Sequence, residues 1–381
     1  MKVSMLAKSA AVALVFGLVA STPAHAVDLT GSGASFPAGL IEACKAPFKD
    51  ATSHAFTYSS SSSGTGRGNS DKSIGDFWFS DAAYTAATKR PSLIHVPAVA
   101  APIGILHNLP SRNTLALSAK TIAGIFAGTI TRWDDPAIVA DNNRAYNKIT
   151  YKTKNGVIVK DAKGDPIIAK SVPATTRYTL PNKPIKVIYR FESSGTSENF
   201  TNYLNKSAPT VWTKVKNGTF ATSFPGNLNA PENLGRMVSA SSSTGVAQLA
   251  AKTPYSITYA ETSYAKANKL KIADVINPAG NAVAPTSSST AAFLSQSDID
   301  ANGIVTFDYA TKEAGAYTLG IVSYMLVDTA YPDKTRAAAV KALAEFLLSP
   351  KCATTVGGPL DFTQLDGEFL KKAQALVAKI G

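Results

Sequence analysis

Histidine and cysteine are scarce in this chain, with four His and two Cys among 381 residues. The histidines are scattered, and neither they nor Cys44 and Cys352 fall into a spacing that holds a metal ion. There is no Gly-x-Ser-x-Gly elbow and no P-loop. A Ser/His/Asp triad has no fixed order along a chain and stays open, but nothing marks one. No catalytic residue, metal or cofactor is therefore expected. After the first 26 residues no apolar run is long enough to cross a bilayer, which takes about 20 residues. Runs of five or six like charges are also missing. Hydrophobic residues make up 45% and charged residues 17%, a globular balance that excludes wholesale disorder.

The N-terminus has its own composition. Lys2 and Lys8 precede an apolar run from Ala10 to Ala20, and Ala24-His25-Ala26 is a small-x-small site. This predicts a secretory signal peptide over residues 1–26, cleaved after Ala26. A membrane anchor is the competing reading, and the run is short for one. About 355 residues follow, more than one compact core accommodates, so two domains are expected. The formal net charge is +12, of which Lys2 and Lys8 contribute two. That balance is compatible with an anionic ligand, and export argues against a nucleic-acid partner. In an oxidising compartment Cys44 and Cys352 suit one disulfide, two separate buried thiols being the alternative.

Strand-like and helix-like segments alternate, as in α/β folds. A helix is expected from Pro37, with Leu40, Ile41, Cys44 and Phe48 on one face. Strands are expected at Ala55–Ser60, Asp76–Asp81, Ile185–Phe191 and Ser256–Ala260. Further helices are expected at Ser118–Ala127, after the Ser-Gly-Thr turn through Leu204, and along the Val340, Leu343, Phe346, Leu347 stripe that ends before Pro350. The polar stretch 140–184 reads as a β-hairpin insertion, with Asn155-Gly156 between Lys148–Lys154 and Val157–Lys160.

Three glycine- and hydroxyl-rich segments read as strand-to-helix turns: Gly31–Pro37, Ser59–Gly66 and Glu192–Thr196. Such turns expose backbone N–H groups at a helix N-terminus, where an oxyanion is favoured. Each alone is an ordinary turn or cap, and the five-serine run also suits a flexible linker. Arg190 ends a strand just before the third turn, and its planar fork can grip an oxyanion. The bland alternative is a surface Arg paired with Glu192. Asp81 ends another strand. A carboxylate suits an anion site only if the ligand carries a proton to donate, as phosphate does near neutral pH and sulfate does not; otherwise Asp81 reads as an N-cap.

In this order, Gly31-Ser32-Gly33-Ala34-Ser35-Phe36-Pro37, Ser62-Ser63-Gly64, Ser80-Asp81-Ala82 and Arg190-x-x-x-Ser194-Gly195-Thr196-Ser197 resemble the motifs of periplasmic phosphate-binding proteins. The likeness extends to Gly124-Ile125-Phe126, Thr131-Arg132-Trp133-Asp134-Asp135-Pro136, Gly245-Val246-Ala247, Ile257–Glu261 and Tyr264-Ala265. The resemblance implies an α/β, two-lobed periplasmic-binding-protein fold, type II-like, with two hinge crossovers near Val99–Ile105 and Ala316–Val322. Lobe one would be Val27–Ala100 plus Ala316–Gly381, holding both cysteines, and lobe two Ala101–Gly315. It implies that Ser35, Phe36, Ser62, Arg190, Ser194, Gly195 and Thr196 donate to phosphate, that Asp81 accepts the phosphate proton, and that Glu192 supports Arg190.

Four features depart from the family pattern. Ser35 stands where Thr is common and Glu192 where Asp is common. The insertion is longer, and Thr65-Gly66-Arg67-Gly68 differs, Arg67 reading as a surface charge rather than a ligand. The implied role is high-affinity capture of inorganic phosphate in the periplasm by a monomer that delivers it to the permease subunits of an ABC importer. The alternatives are a phosphatase on the same fold, for which the residues supply neither a metal pair nor an activated nucleophile, and a binding protein for another oxyanion.

Overall fold

Strand β1 (Asp28–Ala34) becomes continuously buried along its second half, and its glycines are the reason it packs so closely. A Cβ on Gly31 would fall 2.2 Å from the Phe77 ring, and one on Gly33 2.2 Å from the Phe79 carbonyl oxygen. Gly31–Gly33 is thus strand, where the sequence suggested a turn. The computed structural model describes residues 26–84, 89–111, 113–154, 157–162, 164–175 and 177–381. The predicted signal peptide and the Asn155-Gly156 turn lie outside the described residues, apart from Ala26.

After β1 come α1 (Ala38–Thr52), β2 (Ala55–Ser61), α2 (Ser63–Asp71), β3 (Phe77–Ser80) and the long β4 (Leu93–His107). The five-serine run is therefore the end of a strand and the start of a helix, with no linker in it. Next are β5 (Ala116–Ser118), α3 (Ala119–Ala127), α4 (Pro136–Asp141), β6 (Ala145–Tyr151), β7 (Thr153–Lys154), β8 (Val157–Ile158) and β9 (Ile168–Thr175). Then follow β10 (Lys186–Arg190), α5 (Gly195–Ser207), α6 (Phe220–Ser223), β11 (Met237–Ala240), α7 (Ser242–Lys252), β12 (Ser256–Glu261), α8 (Ser263–Asn268), β13 (Lys271–Ile276) and β14 (Ala282–Val283). The chain closes with α9 (Ser287–Leu294), β15 (Asp298–Ile299), β16 (Val305–Thr306), β17 (Gly320–Asp328), α10 (Lys334–Leu348) and α11 (Gly367–Val377).

The main sheet runs β11-β10-β12-β4-β17-β3-β1-β2, with β13 also on β4 and carrying β5 and β14. Its centre is the antiparallel pair β4–β17, from Leu93↔Asp328 to Pro102↔Gly320, with a one-residue register shift between Ser323 and Tyr324. At Ile103 strand β4 changes partners, and Ile103–His107 pairs with β12 and, toward its end, with β13. Pro102 sits at the change, where a residue with no N–H costs the ladder least. One strand thus serves two half-sheets: β2-β1-β3-β17 on one side and β12-β10-β11 with β13-β5 on the other. Helices cover the faces, and α1 is joined to the π-helical turn after α10 by the disulfide Cys44–Cys352, with Cα atoms 5.7 Å apart.

The insertion differs in register from the expected hairpin. Strand β6 pairs with β9, from Ala145↔Thr175 to Tyr151↔Ile168, and only Thr153–Lys154 pairs with Val157–Ile158. The chain turns again at Asp161–Asp165, where Gly164 takes φ +90° and the Asp165 amide donates to Asp161 Oδ1 at 3.0 Å. That second turn, at the Gly-Asp-Pro signal, returns the chain alongside β6. The ribbon is anchored through Tyr151, whose hydroxyl meets Glu313 and accepts the Gly315 amide at 2.8 Å. Lys160 pairs with Asp366 at 2.9 Å.

Candidate functional site

Parallel strands deliver their C-terminal ends to one edge of each half-sheet, and ligand sites in α/β folds form outside such ends. Here the ends of β1, β2, β3 and β10 meet between the half-sheets. Helix α2 starts at the end of β2, with Ser62 as N-cap accepting the Thr65 amide at 3.1 Å. Helix α5 starts after β10, with Ser194 as N-cap accepting the Ser197 amide at 3.2 Å. A capping hydroxyl accepts with a lone pair and keeps its proton for a ligand. The two starts face each other: the Gly64 amide donates to the Ser193 carbonyl at 3.0 Å. The first amides of any helix lack intrahelical acceptors, so two sets of N–H groups converge here, each at a positive dipole end.

Arg190, 1% exposed, lies between them. Its Nε donates to Glu192 Oε1 at 2.6 Å, and the same oxygen accepts the Ser242 amide at 2.8 Å. The guanidinium also reaches Ser243 Oγ at 3.3 Å and the Ser61 carbonyl at 3.5 Å. Glu192 therefore orients Arg190, and the arginine is a buried group, not a surface one. Tyr259 braces it from behind: its hydroxyl accepts the Arg190 amide at 3.3 Å and meets Ser197 Oγ at 2.6 Å. Ser35, fully buried, joins this group across the cleft, accepting the Ser243 amide at 2.9 Å. Phe36 follows it with a fully buried ring.

Asp81, 3% exposed, is not a helix cap. Ser323 donates to its Oδ1 at 2.7 Å and Thr196 to its Oδ2 at 2.9 Å. Ser63 adds a long contact to Oδ2 at 3.5 Å. A carboxylate has about four lone-pair sites, so roughly one remains for another donor. Burial pushes the Asp81 pKa up, against the pull of the Ser323 and Thr196 hydroxyls and of Arg190 and Arg67. Arg67 is half-buried and tied down, donating to Ser80 Oγ at 3.1 Å and to the Ala82 carbonyl at 3.2 Å. It is not the free surface charge the sequence suggested, because α2 turns it back onto the end of β3.

The structure brings Ser35, Ser62, Asp81, Arg190, Glu192, Ser194, Gly195 and Thr196 together, with Phe36 in the same turn as Ser35. Sequence reasoning missed Ser63, Ser243, Tyr259 and Ser323. Ser243 carried a signal, the Ser241-Ser242-Ser243 run before a helix. Ser323 carried none, since an isolated serine in an apolar strand looks like any other.

Residues 19–351 match the family model described as a PBP superfamily domain. The chain is 30% identical over 312 residues to the phosphate-binding protein PstS2 of Mycobacterium bovis, covering 78% of this chain and 72% of that protein. It is 27% identical over 380 residues to the phosphate-binding protein PstS of Pasteurella multocida, covering 97% and 95%. Among solved structures, the ancestral soluble variant of the human phosphate-binding protein superposes with a TM-score of 0.65 at 22% identity, over 91% of this chain and 93% of that one. The periplasmic phosphate-binding protein PfluDING, bound with phosphate, gives 0.63 at 22% identity, over 91% and 93%. At that identity the two structures establish a shared fold.

Proposed function

Because the chain belongs to the PBP superfamily, and within it to the phosphate-binding proteins of ABC importers, we propose that it captures inorganic phosphate and delivers it to the permease subunits of an importer. The observation that carries this reading is Asp81: a buried carboxylate with an acceptor position left over, set among hydroxyls, two helix starts and a buried arginine. Ser35, Ser62 and Ser194 donate through their hydroxyls, and Phe36, Gly195 and Thr196 through their amides, the Thr196 hydroxyl proton being engaged by Asp81. Arg190 supplies the positive charge, held in orientation by Glu192. Asp81 accepts the proton that phosphate retains near neutral pH. Sulfate has none, and acceptor would then face acceptor in a desolvated cleft.

Lobe one is Val27–Ala100 with Ala316–Gly381, and lobe two is Ala101–Gly315 including the 140–184 insertion. The partner change of β4 at Ile103 and the start of β17 at Gly320 support these crossings. Hinge closure then brings α2 onto α5 around the ligand. The protein works in the periplasm as a monomer after cleavage at Ala26, and the Cys44–Cys352 disulfide fits an oxidising compartment. It binds and does not turn its ligand over.

Calorimetric titration of stripped protein with phosphate, arsenate and sulfate is the test. Tight phosphate binding with sulfate excluded is expected. Sulfate binding as strong as phosphate would refute the role of Asp81, and hydrolysis of a chromogenic phosphate ester would reassign the site to catalysis.

A further inference from the structure

A second groove, of about 460 Å³, lies between the start of α3 and the end of α5, away from the cleft. Three lysines line it: Lys120 in the first turn of α3, Lys206 in the last turn of α5, and Lys312 in the loop before β17. Lys312 Nζ spends one of its donors on the Pro278 carbonyl at 2.9 Å, which leaves two and the charge. The hydroxyl-bearing residues Tyr203, Ser207 and Thr318 line the same groove. Each of their hydroxyl oxygens is buried and has no hydrogen-bond partner among the described residues. Tyr203 and Thr318 are 1% exposed. Their hydroxyls come close enough to interact, which occupies at most one of the two protons and leaves the other, with that of Ser207, to be placed.

Buried polar atoms without partners are rare in folded proteins, and a cluster of them beneath charged groups marks a place where a bound species completes the bonding. Three ammonium groups and the amide end of a nine-residue helix favour a negative species, and they outweigh the carbonyl end of α5 on the other side of the groove. No carboxylate is among the lining residues. Asp141 lies near Tyr203, and its Oδ2 is engaged by the Ser118 amide at 2.7 Å.

We propose that this groove is a second anion site, taking a compact oxyanion of the phosphate type, either inorganic phosphate or the head of a phosphate ester. It lacks any counterpart of Asp81, so it accepts unprotonated anions as well. Lys206 and Tyr309 also line a neighbouring groove that reaches Asp81 from the side of Ala82 and Asn199.

The test is calorimetry on the full chain at constant ionic strength, with inorganic phosphate carried well beyond saturation of the cleft. Two classes of binding are expected. The combined variant Lys120→Ala/Lys206→Ala/Lys312→Ala weakens the looser class by about tenfold or more and leaves the tight one unchanged. Arg190→Ala does the reverse, and Lys206→Arg retains the looser class. Sulfate occupies the looser class only. Glycerol 3-phosphate binding there assigns ester heads as ligands, and its exclusion assigns inorganic phosphate. A single class in wild type, a looser class that survives the triple substitution, or equal competition by chloride overturns the proposal. Loss of the tight class alone would refute the cleft reading and leave this one standing.

Discussion

Gly195→Ala adds one methyl group at the first position of α5. An ideal Cβ there lies 2.6 Å from Ser63 Oγ, 2.7 Å from the Ala82 amide nitrogen and 2.9 Å from the Asp81 carbonyl carbon. Two of these are backbone atoms of the turn after β3, and they cannot swing aside. All three belong to the opposite wall of the cleft, so the clash burdens the closed arrangement and spares each lobe. Overpacking costs about 1–3 kcal/mol. With backbone as the obstacle, the upper part of that range is expected, and about 2–3 kcal/mol corresponds to a phosphate Kd raised roughly 30- to 150-fold. Gly195 does not have a positive φ, and alanine suits a helix better than glycine. The ligand-free variant should therefore melt no lower than wild type. Calorimetric titration and thermal melts of the stripped protein measure the two halves of this expectation. A near-wild-type Kd would mean that α5 does not close onto the β3 turn when phosphate binds.

Arg190→Ala should weaken phosphate binding by about 2–5 kcal/mol, because a buried charge-assisted contact loses one partner; Arg190→Lys should also bind poorly, since a point charge cannot form the fork, and titration calorimetry reads both. Asp81→Asn should narrow the gap between phosphate and sulfate, because an amide donates as well as accepts; paired titrations at one pH and salt concentration check it, and an unchanged gap counts against proton reading. Glu261, fully buried at the end of β12, has its pKa pushed up to about 7 by burial, against the pull of the Ser263 and Thr262 hydrogen bonds. A carboxyl raised in the folded state lends stability that is full below its unfolded pKa near 4.5 and is lost as pH rises to about 7. Glu261→Gln should therefore be more stable relative to wild type at pH 8 than at pH 5, and urea unfolding at the two pH values measures the difference.

The alternation of strands and helices was legible because buried parallel strands and amphipathic helices leave distinct periodicities. The Leu40, Ile41, Cys44, Phe48 face and the Val340–Leu347 stripe both point into the core. Helix α2 was not legible as a helix: Ser63–Asp71 carries three glycines, and packing against β1 and β3, with the Ser62 cap and the Arg67 contacts, holds it. A Cβ on Gly66 would lie 2.4 Å from the Phe79 carbonyl oxygen, so that residue serves contact rather than propensity. Most of the site was readable, since its donors cluster in turns with their own composition. Ser323 was not, because it acts through a partner 242 residues away, and Ser243 showed only as part of a serine run, its link to Arg190 lying 53 residues back. Nor could the sequence tell that Arg67 folds back onto Ser80, since the direction of a side chain on α2 depends on where the helix lies.

Strand β17 has a bearing on how the chain acquires its fold. It stands between β3 and β4, and its neighbours are synthesised more than 200 residues before it. Until Gly320–Asp328 arrives, β1, β2 and β3 form an open parallel fragment with an exposed edge, whereas β5, β10, β11, β12 and β13 can already assemble on the end of β4. Long-range pairings form slowly because the entropy of closing the loop is lost before contacts are gained. The half-sheet carrying the helix of Cys44 therefore matures last, although it is made first, and the Cys44–Cys352 bond, formed when an external disulfide or other two-electron oxidant takes up the electrons of both thiols, closes only after β17 is in place.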